Sequence, residues 1–221
     1  MTARKPPRVG IIDGGAAYHL DSFERPPLKR YFDRVIYLRD LPVSDLSDLD
    51  ILIVPCRTNP YWLTQVSLQL QGFMAQGGTL AVMGETAPDR WLPDIVIRPV
   101  ETNFWWWLEP GADLGLRMCA PGHSMNRYIT RTAATFHLHG VFPELCPSQR
   151  PLIATKEGEC LMFEDLARHA PGRLIATTFD PFFHHGQFFM PATTAFLEGL
   201  LPWLIDSHDA EEMLAARQAG T

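Results

Sequence analysis

An acidic side chain and two adjacent histidines stand within one short segment, TTFDPFFHHG, at residues 177–186. Asp180 directly follows an apolar run, and His184 and His185 come a few residues later. A carboxylate beside imidazoles can exchange protons near neutral pH, because neighbouring charges shift each other's pKa values. We therefore interpret the segment as a loop that carries acid–base groups. The alternative is structural: Asp180 caps a turn before Pro181, and both histidines lie on the surface.

A second histidine pair lies in the segment FHLHG. On a strand, His137 and His139 would point to the same side, a geometry that suits two ligands of one metal ion. His184, His185 or Glu85 would complete such a site, and zinc is the expected metal because imidazole and carboxylate groups suit it. A hydrogen-bonded structural pair explains the same spacing without any cofactor, so a cofactor is not required.

Further polar residues follow three other predicted strands. In chain order they are Asp13, Gly14, Gly15, Arg57, Asn59, Glu85 and Thr86. Because ligands bind beyond the carboxyl ends of the strands in open parallel sheets, the sequence predicts one crevice in which these groups meet Asp180. Glu85 and Thr86 join Asp180 and its two histidines as candidate catalytic groups, and the other five are candidate ligand-binding groups. The glycines do not form the GxGxxG motif of dinucleotide sites.

Three consecutive tryptophans occur in the segment TNFWWWLEP. In an extended chain Trp105 and Trp107 point one way and Trp106 the other, so one set of indole rings faces something other than the core. Flat indoles suit a sugar ring or a protein partner, which makes Trp105 and Trp107 candidate ligand-binding residues. The alternative is a hydrophobic cluster that holds this part of the chain against the sheet.

The elements that must position these groups are predicted from apolar runs. Near-continuous runs, typical of strands buried on both faces of a sheet, lie at 8–13, 33–38, 49–55 and 79–84. A helical spacing of apolar residues covers 60–76. Alternating strands and helices predict an α/β fold with a doubly wound, mostly parallel sheet of the flavodoxin-like type.

The second half of the chain begins with an irregular stretch, residues 87–150, which is rich in proline and aromatic residues. We expect it to be a long ordered insertion, packed over one end of the sheet. A hairpin at 151–155 and 160–165, a strand at 172–179 and a helix at 192–205 follow. Residues 1–221 are thus expected to form a single domain that ends in a polar tail at 207–221.

Two stretches carry a family resemblance. The segments SDLDILIVP…LQGFMAQGGTLAVMGE and GRLIATTFDPFFHHG…FLEGLLPWL resemble the class I glutamine-amidotransferase-like superfamily, and within it the ThuA-like branch, named for trehalose utilisation. The resemblance covers about residues 8–86 and 151–205. It implies the amidotransferase-like fold, with a nucleophile turn after the strand at 79–84 and a histidine motif after the last strand.

The resemblance fails at the residues that carry the family's chemistry. A glutaminase of this superfamily has G-x-C-x-G at the nucleophile turn, where this chain has Gly84-Glu85-Thr86-Ala87-Pro88, with Thr86 in the nucleophile's place. The family's H-P-E is matched by Asp180-Pro181-Phe182. The Cys–His–Glu triad is therefore missing, and we predict no glutaminase activity. Cys56, after the strand at 49–55, is either an inert thiol or a relocated nucleophile.

Two functions remain. The first is a diverged amidotransferase-like domain that binds a small polar ligand, of carbohydrate-like chemistry, or a protein partner at the former active-site crevice. The second is a hydrolase, metal-assisted in one form, that uses Asp180, His184, His185 and Glu85.

Composition indicates which kinds of partner and which cellular location to expect. The 221 residues have a net charge of −6, which argues against a nucleic-acid partner. A membrane span is not expected, since no apolar run reaches about 18 residues. The start of the chain has no apolar signal-peptide core, and the four cysteines form no CxxC pair, so we expect reduced thiols and a cytoplasmic location. The sequence leaves homo-oligomerisation open.

Overall fold

The computed structural model describes residues 5–101, 105–135 and 137–208. Ten strands are present in these residues. In chain order they are β1 (Val9–Asp13), β2 (Arg34–Tyr37), β3 (Ile51–Val54), β4 (Thr79–Val82), β5 (Arg98–Pro99), β6 (Arg117–Met118), β7 (Gly140–Val141), β8 (Gln149–Ala154), β9 (Cys160–Asp165) and β10 (Arg173–Thr177).

Eight strands form one sheet in the order β2-β1-β3-β4-β10-β9-β8-β6. The pairs from β2 to β10 are parallel, and those from β10 to β6 are antiparallel. Every residue of β3, β4, β9 and β10 is buried, which explains why these strands are near-continuous apolar runs in the sequence. The prediction of a mostly parallel α/β sheet is confirmed.

Helices cover both faces of the sheet. They are α1 (Ala17–Glu24), α2 (Pro60–Gln65), α3 (Ser67–Ala75), α4 (Pro181–Gly186) and α5 (Pro191–His208). Short 3-10 helices lie at Leu28–Tyr31, Leu41–Val43, Pro88–Arg90, Trp106–Leu108 and Ser124–Arg127. Among the helices described, none combines the length and apolar character that crossing a membrane requires.

Two hydrophobic cores result, one on each face of the sheet. Phe23 of α1 and Trp203 of α5 pack in the first core, and Leu70 and Met74 of α3 pack in the second. Each fully buried side chain of this kind contributes about 1.5–3 kcal/mol. The helix predicted over 60–76 is two helices, because Val66 leaves helical geometry (φ −109°, ψ 8°) where its side chain enters the core.

The segment at 87–150 is joined to the sheet rather than only laid over it. Its strand β6 extends the edge of the main sheet beside β8, and β5 pairs with β7 in a separate two-stranded sheet. The alternation assumed for the tryptophans is wrong, because Trp106–Leu108 form a 3-10 turn and not an extended chain. Within the predicted tail, residues 207 and 208 belong to α5, and 209–221 lie outside the described residues.

Candidate functional site

Asp180 stands at the centre of a cluster of charged groups beyond the carboxyl end of β10. Its side chain is fully buried. His139 Nε2 and Arg57 Nη2 lie 3.0 Å and 3.2 Å from Oδ2, and His184 Nε2 lies 3.2 Å from Oδ1. Burial raises the pKa of Asp180, but the contacts of the two histidine rings with the carboxylate outweigh burial and lower that pKa to about 2. The group is therefore held as a carboxylate.

His184 reaches Asp180 because the segment after β10 is a helix, which corrects the prediction of a loop. Pro181 occupies the first turn of α4, a position that costs no hydrogen bond. Residues four apart share one face of a helix, so His184 returns to the Asp180 side chain. The His184 ring is buried against the rings of His137 and Phe189, with centroids 4.7 Å and 5.3 Å away.

The two histidines of the FHLHG segment have different environments. His139 lies between Asp180 and Glu85, whose Oε1 is 3.7 Å from Nδ1. Burial lowers the pKa of His139, but its contact with Asp180 and the charges of both acids outweigh burial and raise that pKa. His137 is fully buried, and burial, followed by the nearby His184, lowers its pKa to about 4. His139 is thus the histidine that favours the protonated form.

Arg57 and Glu85 meet above Asp180 from two neighbouring strand ends. Arg57 Nε lies 2.7 Å from Glu85 Oε2, and the guanidinium carbon lies 3.5 Å from the centre of the Phe183 ring. Both residues have left-handed backbones, with φ of 63° and 59°. The backbone N–H of Arg57 also donates to the Gly84 carbonyl at 3.1 Å, and this hydrogen bond links the two turns. Strained non-glycine backbones of this kind persist where the surroundings fix them, and they are concentrated at ligand sites.

A cleft of about 370 Å³ opens beside this cluster. Glu85, His139 and Thr178 are among the residues that line it. The side chains of Glu85 and Arg57 are 37% and 29% exposed, whereas Asp180 and His184 lie beneath them. The cluster therefore presents an ion pair to solvent and keeps its central carboxylate covered.

Three residues in the buried part of the cluster could hold a metal ion. His139, Asp180 and His184 each offer one ligand atom, and these atoms lie within 4.8 Å of one another. Two imidazole nitrogens and a carboxylate oxygen suit zinc. The predicted pair of metal ligands was His137 and His139. Only His139 belongs to this group, because residues 137–139 are not a strand and His137 packs against His184 instead.

Two predicted catalytic groups are turned away from the cleft. Thr86 is fully buried, and its hydroxyl donates to the Met83 carbonyl at 2.9 Å. His185 Nδ1 is 2.8 Å from the Thr194 hydroxyl of α5, and burial lowers the pKa of His185. Consecutive helical residues point in different directions, so His184 and His185 cannot both reach Asp180.

The predicted ligand-binding residues are also spread over several roles. Asp13 accepts a hydrogen bond from the Gly15 N–H at 2.8 Å, and the Gly14 N–H donates to the ring of His19. These contacts shape the turn before α1. Asn59 caps α2 by accepting hydrogen bonds from two backbone N–H groups. Of this set, Arg57 alone contacts the Asp180 carboxylate among the contacts described.

Trp105, one of the two aromatic candidates, lies on one side of the cluster. Trp105 is 63% exposed, and its ring lies 6.2 Å from that of Phe189, which in turn contacts His184. The side chain of Trp107 lies outside the described part of the structure. Sequence reasoning missed Phe189 and the stacking of Arg57 on Phe183, since contacts between rings leave no local pattern.

Cys56 lies beneath the cluster, with its sulfur 3.3 Å from the Phe183 backbone nitrogen. Burial, followed by the nearby charge of Asp180, raises the pKa of this thiol well above its usual value. The thiolate is the nucleophilic form of cysteine, so this environment favours the inert thiol over a relocated nucleophile.

Solved structures share the fold of this chain. A protein from Thermoplasma acidophilum, described as a GMP synthase subunit, aligns with a TM-score of 0.54 at 12% identity, covering 98% of both chains. A ThuA-like protein from Bacteroides uniformis ATCC 8492 aligns with a TM-score of 0.52 at 11% identity, covering 97% of this chain and 98% of its own. The predicted resemblance to amidotransferase-like and ThuA-like proteins is confirmed for the fold.

The same fold occurs within a larger protein. A β-galactosidase from Rahnella sp. R3 aligns with a TM-score of 0.52 at 14% identity, covering 91% of this chain. The chain spans 32% of the length of that enzyme. No protein-family model matches the sequence, and no curated protein matches it.

Proposed function

We propose that this chain is an amidotransferase-like domain that binds a small polar ligand in the cleft beyond β4 and β10, without Cys–His–Glu chemistry. The observation that carries the proposal is the meeting of Arg57, Glu85 and His139 over the buried carboxylate of Asp180. Buried charges and left-handed backbones both cost stability, and a set of them beside a cleft is typical of a binding site.

The chemistry of the former active site supports binding over glutamine hydrolysis. The hydroxyl of Thr86 is committed to a backbone carbonyl, and the pKa of the Cys56 thiol is raised. Neither group meets the need of a nucleophile for an adjacent base and an open approach. Ammonia release from glutamine by the pure protein, abolished in Cys56→Ser, would contradict this part of the proposal.

A thermal-shift screen of small polar compounds tests the binding function. A ligand of the cleft should raise the melting temperature of the wild type, and Asp180→Asn should remove that shift because Arg57 and His139 lose the buried negative charge that both contact. Asp113→Asn is the matched control, since Asp113 is exposed and pairs with Arg131 in the insertion. A ligand whose shift is equal in both variants binds elsewhere, and a screen without any ligand counts against the function.

A metal-assisted hydrolase is the second candidate, favoured by the convergence of His139, Asp180 and His184. A divalent metal held there would supply an activated water. Glu85, at the mouth of the cleft, would accept the proton of that water. The position of Arg57 disfavours a metal ion here, because its positively charged guanidinium already contacts the Asp180 carboxylate.

Metal analysis of the purified protein decides between the two candidates. The hydrolase predicts stoichiometric zinc in the wild type, lost in His139→Ala and His184→Ala. His185→Ala is the matched control, because His185 lies on the same helix and faces Thr194. Wild-type protein that carries no zinc after growth with added zinc excludes this candidate and leaves the binding function standing. A protein partner at the same crevice stays a prediction.

A further inference from the structure

We infer that Glu85 is the ligand-contacting carboxylate of the cleft, and that the ligand presents hydroxyl or amino groups as hydrogen-bond donors. The inference rests on the proposed binding function and names the chemical class that the cleft selects. Glu85 stands in the turn after β4, where the resemblance places the nucleophile of an amidotransferase. The left-handed residue that directly follows Gly84 in this turn is Glu85, and Thr86 points into the core.

The turn that carries Glu85 is held by backbone contacts on two sides. The Gly84 N–H donates to the Phe179 carbonyl at 2.7 Å, and the Gly84 carbonyl accepts from the Arg57 N–H. A Cβ atom on Gly84 would lie 2.2 Å from the Thr178 carbonyl oxygen, so only glycine allows this approach to the end of β10. Glu85 therefore has a fixed position and does not depend on a mobile loop.

The contacts of Glu85 leave it able to accept further hydrogen bonds. Oε2 faces Arg57 and Oε1 faces His139, which are two of the roughly four acceptor positions that a carboxylate offers. Arg57 and His139 meanwhile direct other nitrogen atoms toward Asp180. Of the two acids that these cations contact, Glu85 is the one that lines the cleft, and one further acid and one further cation, Asp89 and Arg90, also line it.

Because Glu85 can accept hydrogen bonds from the cleft, the ligand is expected to offer hydrogen-bond donors. A donor such as a hydroxyl or ammonium group adds a charge-assisted hydrogen bond to Glu85. A ligand carboxylate in the same place would face a like charge and lose its own hydration, which disfavours binding. Beside Glu85, neutral polyols and amines are therefore expected to bind better than their acidic counterparts, since Asp89 and Arg90 add one charge of each sign to the rest of the lining.

Three sugars that share one ring and differ in charge test the preference: glucose, glucosamine and glucuronate. Calorimetric titration of the wild type should show saturable binding of glucose or glucosamine and weaker binding of glucuronate. Glu85→Gln should weaken the favoured probe by about tenfold or more, the usual worth of a hydrogen bond to a charged group. Glu85→Asp, which keeps the charge, should retain the order of the three probes.

Specific outcomes overturn the inference. Equal binding of the favoured probe to the wild type and Glu85→Gln shows that Glu85 does not contact it. Preferred binding of glucuronate, or no binding of any of the three sugars, shows that the ligand class is wrong. If the broader screen then finds a ligand of another class that needs Asp180, the proposed function stands and this inference alone falls. If the screen finds none, both fall.

Discussion

Two buried clusters of this molecule use the same residue types, an acid with histidine and arginine, at opposite ends of β10. At the carboxyl end, Asp180 is surrounded by His139, His184 and Arg57. At the amino end, Glu164 of β9 lies 2.9 Å from His123 Nε2 and 2.7 Å from Nη2 of Arg173, the first residue of β10. Ion pairs alone therefore do not distinguish the two ends.

The two clusters differ in the backbone conformation of their residues and in their exposure to solvent. Glu164 and Arg173 lie in regular strands and are 3% and 1% exposed. Arg173 also donates to the Ser207 hydroxyl at 2.7 Å and lies over the ring of Trp203. The Asp180 cluster instead uses left-handed turns and opens to a cleft through Glu85. A closed, unstrained cluster fits a structural role, and an open, strained one fits a ligand site.

The largest effect on stability is expected at the closed cluster. Glu164→Ala should lower the free energy of unfolding by about 3–5 kcal/mol, because it removes the carboxylate that pairs with the buried Arg173 at 2.7 Å. Urea denaturation measures this change. Glu157→Ala is the control, since Glu157 is exposed in the turn between β8 and β9, and a change within about 0.5 kcal/mol is expected there. A loss of unfolding free energy in Glu164→Ala no larger than that in Glu157→Ala would contradict a structural role for this cluster.

Asp180→Ala should cost less than Glu164→Ala, about 1–3 kcal/mol. Arg57 keeps its contact with Glu85 and is already 29% exposed, so it can turn to water once Asp180 is removed. The same denaturation series measures both variants. Equal losses of unfolding free energy in Asp180→Ala and Glu164→Ala would mean that both clusters stabilise the fold to the same extent, which would contradict the distinction drawn between them.

Acid pH provides a second test of the closed cluster. Burial raises the pKa of Glu164, but the hydrogen bond from His123 and the charge of Arg173 outweigh burial and lower that pKa. Glu164 therefore stabilises the fold above about pH 4.3, the usual pKa of an unfolded glutamate, and the contribution is lost as the pH falls through the folded pKa. Glu164→Gln should flatten this acid decline in stability, measured by denaturation at several pH values. An unchanged slope would contradict the assignment, and Glu157→Gln serves as the control.

The smallest effect concerns the strained turn of the open cluster. Glu85→Gly and Glu85→Ala both remove the carboxylate, but only glycine relieves the left-handed backbone, so the glycine variant should be more stable by about 1 kcal/mol. Leu68, exposed in the regular helix α3, provides the opposite control, because glycine there should be less stable than alanine. If Glu85→Gly were no more stable than Glu85→Ala, the turn would not be strained.

Much of the fold follows from the sequence, because buried strands leave apolar runs that can be recognised locally. The run CLMFED corresponds to β9 at the residues predicted, and 79–84 contains β4. Helix boundaries were harder, since the break at Val66 depends on packing against the core. The tryptophan cluster shows the same limit, because its 3-10 turn has no periodic pattern.

The sequence predicts which residues meet where chain topology determines it, and not where packing does. Arg57, Glu85 and Asp180 follow predicted strands, and parallel strands bring their carboxyl ends together. His184 and His185 are both candidates in the sequence, and the choice of His184 needs the i, i+4 geometry of α4, which the segment PFFHHG does not reveal. The closed cluster was overlooked, because Glu164 and His123 are 41 residues apart in the chain. A charged residue within the buried run CLMFED was the available signal.

The ends of the main sheet have a consequence for aggregation. Strand β6, at one end, has only two residues, which is too short a template for another chain to add a strand. Strand β2, at the other end, has four, with Val35 and Tyr37 37% and 47% exposed and Arg34 beside them. Any edge-to-edge association of copies through this sheet would therefore involve β2, and a proline in place of Val35 would be the change that blocks it.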